Sequence, residues 1–188
     1  MSEYTILHDI SKTLLELLKA NMDDLIIKYH ISLDSPADVV ADTAPRLSLF
    51  LYQIEENQFL KNQDMKPVNN GKLSYPPLAL NLFYLFTAYA QTRETEQQVI
   101  GKTMQVLYAN SVVRGSLLQG TLSATFEELK IMFYPLSIDD MNKLWSMFGS
   151  KAYKLSVTYK VSAALIDSTR EVAGDRVIKR TLNHYIQQ

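Results

Sequence analysis

The chain has 188 residues, a mass of 21.5 kDa, 47% apolar and 21% charged residues, and a formal charge of −1. That is enough chain for one globular domain whose core needs no covalent staple. The absence of cysteine excludes disulfide scaffolds, thiol catalysis and cysteine-ligated metal sites, and the near-neutral charge argues against a dedicated nucleic-acid binder.

From Tyr4 to Asn21, Ile6, Leu7, Ile10, Leu14, Leu17 and Leu18 recur at three- and four-residue steps, which predicts an amphipathic helix. Glu3 and Asp9 interrupt this opening, so it does not read as a secretory signal. Leu25, Ile27, Tyr29, Ile31 and Leu33 then alternate with polar residues, the period of a half-buried strand, until Asp34-Ser35-Pro36. Leu47 to Ile54 is apolar on both faces, which predicts a central strand covered on both sides. Asn62 to Pro77, with Pro67, Asn69-Asn70-Gly71 and Pro76-Pro77, is expected to be a long loop.

Leu78 to Tyr89 is apolar and aromatic after two prolines, which favours a strand over a helix. The longest apolar stretch, Pro76 to Ala90, contains Asn81 and Thr87 and is too short to span a bilayer. Thr92 is placed to cap a helix running to Ala109, with Val99, Ile100, Thr103, Met104, Val106 and Leu107 as its stripe. Asn110 to Ala124 is expected to be a loop region, and Leu129, Ile131 and Phe133 a strand that Pro135 ends. Ser137-Ile138-Asp139-Asp140 resembles a capping box. It opens a short helix with Met141, Leu144, Trp145 and Phe148 inward and Gly149 at its close.

Tyr153 to Leu165 alternates most clearly, with Tyr153, Leu155, Val157, Tyr159, Val161, Ala163 and Leu165 on one face. Arg176 to Ile186 reads equally as strand or helix. Helices and strands mix without strict alternation, so the expected fold is α+β: a mostly antiparallel mixed sheet packed with about three helices. Residues 1–168 form its single domain, and residues 169–188 a C-terminal arm or edge element. Residues 1–149 carry a net −5 and residues 150–188 a net +4, a polarity that suits head-to-tail contact between copies.

Chemistry is hard to find. His8, His30 and His184 have no second histidine at helical clamp spacing, and the one carboxylate so placed, Asp34 after His30, ends a predicted strand rather than lying on a helix. The doublets Asp23-Asp24, Glu55-Glu56, Glu127-Glu128 and Asp139-Asp140 sit at element ends, where carboxylates cap and turn. Gly115-Ser116-Leu117-Leu118-Gln119-Gly120-Thr121 imitates a phosphate loop without its lysine. It supplies the alternative reading, a small nucleotide-binding or hydrolytic enzyme. Tyr52, Tyr84, Tyr108, Tyr153 and Tyr159 lie on apolar faces without interleaved arginine, as core or interface tyrosines do. No cofactor or metal site is expected.

Four blocks carry a resemblance. Leu49-Phe50-Leu51-Tyr52-Gln53-Ile54-Glu55-Glu56-Asn57 with Lys61-Asn62 resembles an "LYxVxEN…RN" block. Pro76-Pro77-Leu78-Ala79-Leu80-Asn81-Leu82-Phe83-Tyr84-Leu85-Phe86-Thr87-Ala88-Tyr89 resembles "PPLaLdLhYLlTAYa". Leu144-Trp145 and Tyr153 to Val161 resemble its "lW" and "Y-x-x-S-x-x-Y-x-V" elements. In this order they are similar to the cap, or tube-terminator, family of extracellular contractile injection systems, typified by the Photorhabdus virulence cassettes and the antifeeding prophage. Lys61 departs from the usual arginine and gives up its bidentate fork. The chain also stops soon after the last block, where many members continue.

The resemblance implies a non-enzymatic structural cap that terminates the inner tube and anchors the distal end of the contractile sheath. It implies a homohexamer ring in contact with the inner tube protein and the sheath protein, without nucleic acid or a membrane span. Such a protein would occupy the bacterial cytoplasm during assembly and then the finished particle. Asn57, Lys61, Asn62, Arg176, Lys179 and Arg180 are the candidate interface residues. A local turn is the alternative role for the block from Glu55 to Asn62.

Overall fold

Helix α1 (Ile6–Asn21) buries Ile6, Ile10, Leu14, Leu17 and Leu18 along one stripe, as the three- and four-residue spacing requires. The computed structural model describes residues 4–26, 30–39, 44–61, 63–68, 72–124 and 128–173. Strands β1 (Ile31–Ser32), β2 (Arg46–Glu56), β3 (Lys66–Val68), β4 (Lys72–Ser74) and β5 (Leu78–Tyr89) follow. Helix α2 (Arg93–Ala109) leads to β6 (Val112–Arg114) and β7 (Glu128–Phe133), and helix α3 (Ile138–Ser146) to β8 (Ser156–Ile166) and β9 (Glu171–Ala173). Six strands form one sheet in the order β1-β2-β5-β8-β7-β6, and β3-β4-β9 form a second. Among the described residues, only β1 and β2 run parallel; the other pairs are antiparallel. The fold is the expected α+β domain.

The large sheet has a core on each face. Leu82, Tyr84, Phe86 and Ala88 of β5 point into the larger core with α1, α2, Leu118 and Leu122. Leu85 points the other way, into a small cluster with Leu144, Trp145 and Phe148. The strand covered on both faces along most of its length is therefore β5. Strand β2 is buried over Leu47–Leu49 and partly buried over Phe50–Tyr52, where Leu51 packs on the larger core and Phe50 and Tyr52 on the smaller, and Ile54 near its end is exposed. Two expected helix starts hold at their caps. Thr92 Oγ1 accepts the Thr95 N–H at 3.2 Å, and Ser137 Oγ accepts the Asp140 N–H at 3.1 Å.

Four expectations need correction. The alternation from Leu25 to Leu33 yields only β1, because the β2 edge pairs with it over just two residues. Leu25 and Ile26 instead donate their N–H groups to the Met22 carbonyl in a turn, and residues 27–29 lie outside the described residues. The long loop before Pro76 contains the β3–β4 pair, and the region after Asn110 contains β6, which pairs with β7. These strands are three residues long, too short for alternation to be read. In β8 the register slips between Leu80/Ala164 and Leu82/Val161. That bulge hands the core face from Val161 to Ala164 and Ile166, in place of Leu165. Tyr153 precedes the strand and is half exposed.

The region expected to be an arm begins with β9, which pairs with β4 of the same chain. Residues 174–188 lie outside the described residues. Among the described residues, no helix is long and apolar enough to cross a membrane.

Candidate interaction surface

The end of β2 is first a turn. Asn57 donates its backbone N–H to the Ala79 carbonyl at 2.8 Å, which ties it to β5. Its Oδ1 accepts the Phe59 N–H at 3.1 Å and caps a 3-10 turn over Gln58–Leu60, while its Nδ2 donates to Asn81 Oδ1 at 3.2 Å. This turn carries Phe59 into solvent at 98% exposure. Lys61 Nζ pairs with Glu56 Oε2 at 2.9 Å, both partly exposed, so the contact adds little stability. Ile54 and Leu78 are exposed nearby. Beside them a cleft of about 440 Å³ is lined by Lys61, Pro76, Ile166 and Arg170, whose guanidinium lies 4.6 Å from the Tyr75 ring centre. Asn62, Arg176, Lys179 and Arg180 lie outside the described residues, as does His184.

The glycine loop does not have the chemistry of a phosphate cradle. Asp9, buried in α1, accepts the Thr121 N–H at 2.9 Å and the Thr121 hydroxyl at 2.7 Å. Thr5 Oγ1 donates to it at 3.3 Å, and His8 Nδ1 lies 3.2 Å away. Burial raises the Asp9 pKa, but the hydrogen bonds from Thr121, His8 and Thr5 outweigh it and hold the carboxyl below its ordinary value. Gly120, at φ +62°, packs so closely that a Cβ there would meet the Asp9 carboxylate at 2.2 Å. The place a phosphate would take is already filled by a carboxylate of the same chain. The nucleotide-binding alternative therefore has no support.

Glu96 is the other buried carboxylate, and it too is structural. It accepts from Lys154 Nζ at 2.6 Å and Arg93 at 2.7 Å, joining the start of α2 to the chain before β8. Burial raises its pKa, and the two hydrogen bonds and charges overcome that and lower it. Among the doublets, Asp140 is the cap partner of Ser137, and Glu55-Glu56 ends β2. Among the described residues, no group of three His, Asp or Glu could hold a metal ion.

Sequence reasoning missed the surface around α3. Leu144, Trp145 and Phe148 are buried as expected, and Met141 is partly buried against them. Ile138 is 89% exposed, and the Tyr153 ring stands 5.3 Å from that of Trp145. A groove of about 550 Å³ opens between them, with Leu136, Met141 and Trp145 in its wall. Trp145 is 5% exposed, and its Nε1 finds no acceptor among the described residues. Tyr52, on the same face, also has a buried hydroxyl without a partner; burial, Tyr134 and Glu55 push its pKa up to about 12. Of the other tyrosines, Tyr84 and Tyr159 are core, while Tyr108 is exposed. The only advance signal for the groove was an isoleucine on the polar side of a helix start.

Two solved structures share this architecture. The sheath/tube terminator of the PVC extracellular contractile injection system, in its extended state, matches with a TM-score of 0.68 at 20% identity over 100% of this chain. The tube-terminating cap of the anti-feeding prophage matches with a TM-score of 0.58 at 16% identity over 94% of it. The chain spans 65% and 60% of those two chains. No curated protein matches it. The sequence profile of the Pvc16 N-terminal domain matches residues 9–180, nearly the whole chain. The protein belongs to the Pvc16 N-terminal domain family.

Proposed function

We propose that this chain is a non-enzymatic structural cap of a phage-tail-like contractile injection particle. It ends the inner tube and anchors the distal end of the sheath. The observation that carries this reading is the shared architecture, across the whole chain, with a protein described as a sheath/tube terminator. The buried carboxylates support it, because Asp9 and Glu96 are consumed by structural partners. The turn capped by Asn57 holds Phe59 outward on a sheet end, a geometry suited to a partner's pocket.

The cap acts as a homohexameric ring that meets tube and sheath protein, assembled in the bacterial cytoplasm and retained in the particle. An acidic body and a basic C-terminal segment favour a heterologous contact that closes into a ring. Electron microscopy of particles from a strain lacking this protein tests the reading. Overlong or uncapped tubes are expected; particles of normal length and normal ends overturn it.

A further inference from the structure

Among the described residues, strand β2 is paired along one side and largely open along the other. Its inner side runs against β5 from Arg46 to Glu56. On its outer side β1 meets it at Leu47 and Ser48, and residues 49–56 have no neighbouring strand there among the described residues. The Asn57 N–H reaches the Ala79 carbonyl of β5, so by antiparallel alternation Glu55 and Gln53 also bond inward. Ile54 and Glu56 therefore turn their N–H and C=O groups outward, and neither backbone finds a partner among the described residues.

An open edge of this kind is a template for one class of occupant, an extended chain that continues the ladder. The side chains narrow the class. Gln53, Ile54, Glu55 and Glu56 are all exposed, and no proline or lysine blocks the edge there. Glu55 accepts from Gln53 Nε2 at 2.6 Å and meets no cation among the described residues, while Glu56 shares the exposed Lys61. A second β2 laid along residues 53–56 would set glutamate against glutamate, which disfavours pairing between two copies. Each face of the edge joins an apolar feature to a carboxylate. On one face Ile54 precedes Glu56; on the other a cleft of about 370 Å³, with Tyr52, Gln53, Leu144 and Met147 in its lining, precedes Glu55.

We infer that the outer edge of β2, at Ile54 and Glu56, takes up an extended strand of another protein, one that carries both apolar and Lys or Arg side chains. The two outward backbones hold the strand, the cleft takes an apolar side chain, and Glu55 and Glu56 select the basic ones. This strand site deepens the cap reading above and rests on it, because tube and sheath protein are the partners that a particle end offers.

Hydrogen exchange of the intact protein tests the site residue by residue. In the protein alone, the Ile54 and Glu56 amides should exchange as fast as open chain, while Glu55, bonded to β5, is protected. With sheath protein or tube protein added, Ile54 and Glu56 should lose that fast exchange. Fast exchange that persists with both proteins overturns the site. Slowing in the protein alone as its concentration rises makes a second copy the occupant and equally overturns it. Substitutions give an independent reading. Ile54→Pro removes an N–H that bonds nothing in the chain, so it should keep the fold and lose co-sedimentation with sheath or tube protein. Ile54→Ala keeps the N–H and should retain most of that binding, and equal binding by the two variants overturns the site. Glu55→Lys should weaken binding severalfold, and unchanged binding overturns the basic character of the strand. The exchange data stand whether or not the proline variant folds. Capped tubes in which both amides still exchange fast refute the strand site and spare the cap role. Protection by sheath or tube protein, in a protein whose loss leaves tubes normal, refutes the cap role alone.

Discussion

The carboxylate of Asp9 and the backbone of Thr121 are hydrogen-bonded at 2.9 Å across 112 positions of sequence. This contact closes the 3-10 turn over Gly120–Ala124 onto α1 and places Leu122 in the main core. Asp9→Ala leaves the Thr121 N–H and hydroxyl without their acceptor in a largely buried place. The expected loss is about 2–3 kcal/mol, or a drop in Tm of about 4–12 °C. Calorimetric unfolding of the wild type and variant measures it. An unchanged Tm would show that water replaces the carboxylate without cost.

Two glycines with the same backbone angle should respond differently. Gly115 and Gly120 both sit at φ +62°, where a side chain is strained by about 1–2 kcal/mol. A Cβ at Gly115 meets nothing within 4 Å, while one at Gly120 collides with Asp9. Gly115→Ala is expected to cost about 1–2 kcal/mol and Gly120→Ala clearly more. Denaturant titrations compare them, and equal costs would mean that Asp9 moves aside freely.

Acid should unfold the protein partly through Asp9 and Glu96. Both native pKa values lie below the ordinary ones of 3.8 and 4.5. A depressed carboxyl stabilises the fold fully above its unfolded pKa, and the contribution disappears as pH falls through the native pKa. Stability should therefore fall below about pH 4.5. The D9N/E96Q double variant, already weaker at neutral pH, should lose less on going from pH 7 to pH 3. Parallel slopes for the two proteins would assign acid sensitivity to other groups.

The turn after β2 separates stability from assembly. Asn57→Ala removes a cap and a bond to Asn81, which is expected to cost about 1 kcal/mol and lower Tm by about 2–4 °C. Phe59→Ala removes a ring that is in solvent and should leave Tm within about 1–2 °C. Tube and sheath co-sedimentation should nevertheless weaken in Phe59→Ala. A variant that binds both normally would leave Phe59 as an ordinary surface residue.

Local signals were enough for some elements. The spacing from Ile6 to Leu18, the caps at Thr92 and Ser137 and the apolar run of β5 each act within a turn or a pleat, so α1, α2, α3 and β5 could be read directly. The four blocks of residues likewise led to the family. Non-local pairing decided the rest. A bulge opposite β5 transferred the core face of β8 to Ala164 and Ile166, and nothing inside β8 announces it. The β2 edge limited the alternation before it to Ile31 and Ser32. Asp9 read only as a charge that sets the opening apart from a secretory signal until folding brought Thr121 to it. Ile138 and Tyr153 read as a helix start and a strand residue, and only the packing of α3 on the sheet made them the two sides of one groove. Periodicity reports which face of an element is buried; which distant segment buries it depends on register, and register is set by the whole sheet.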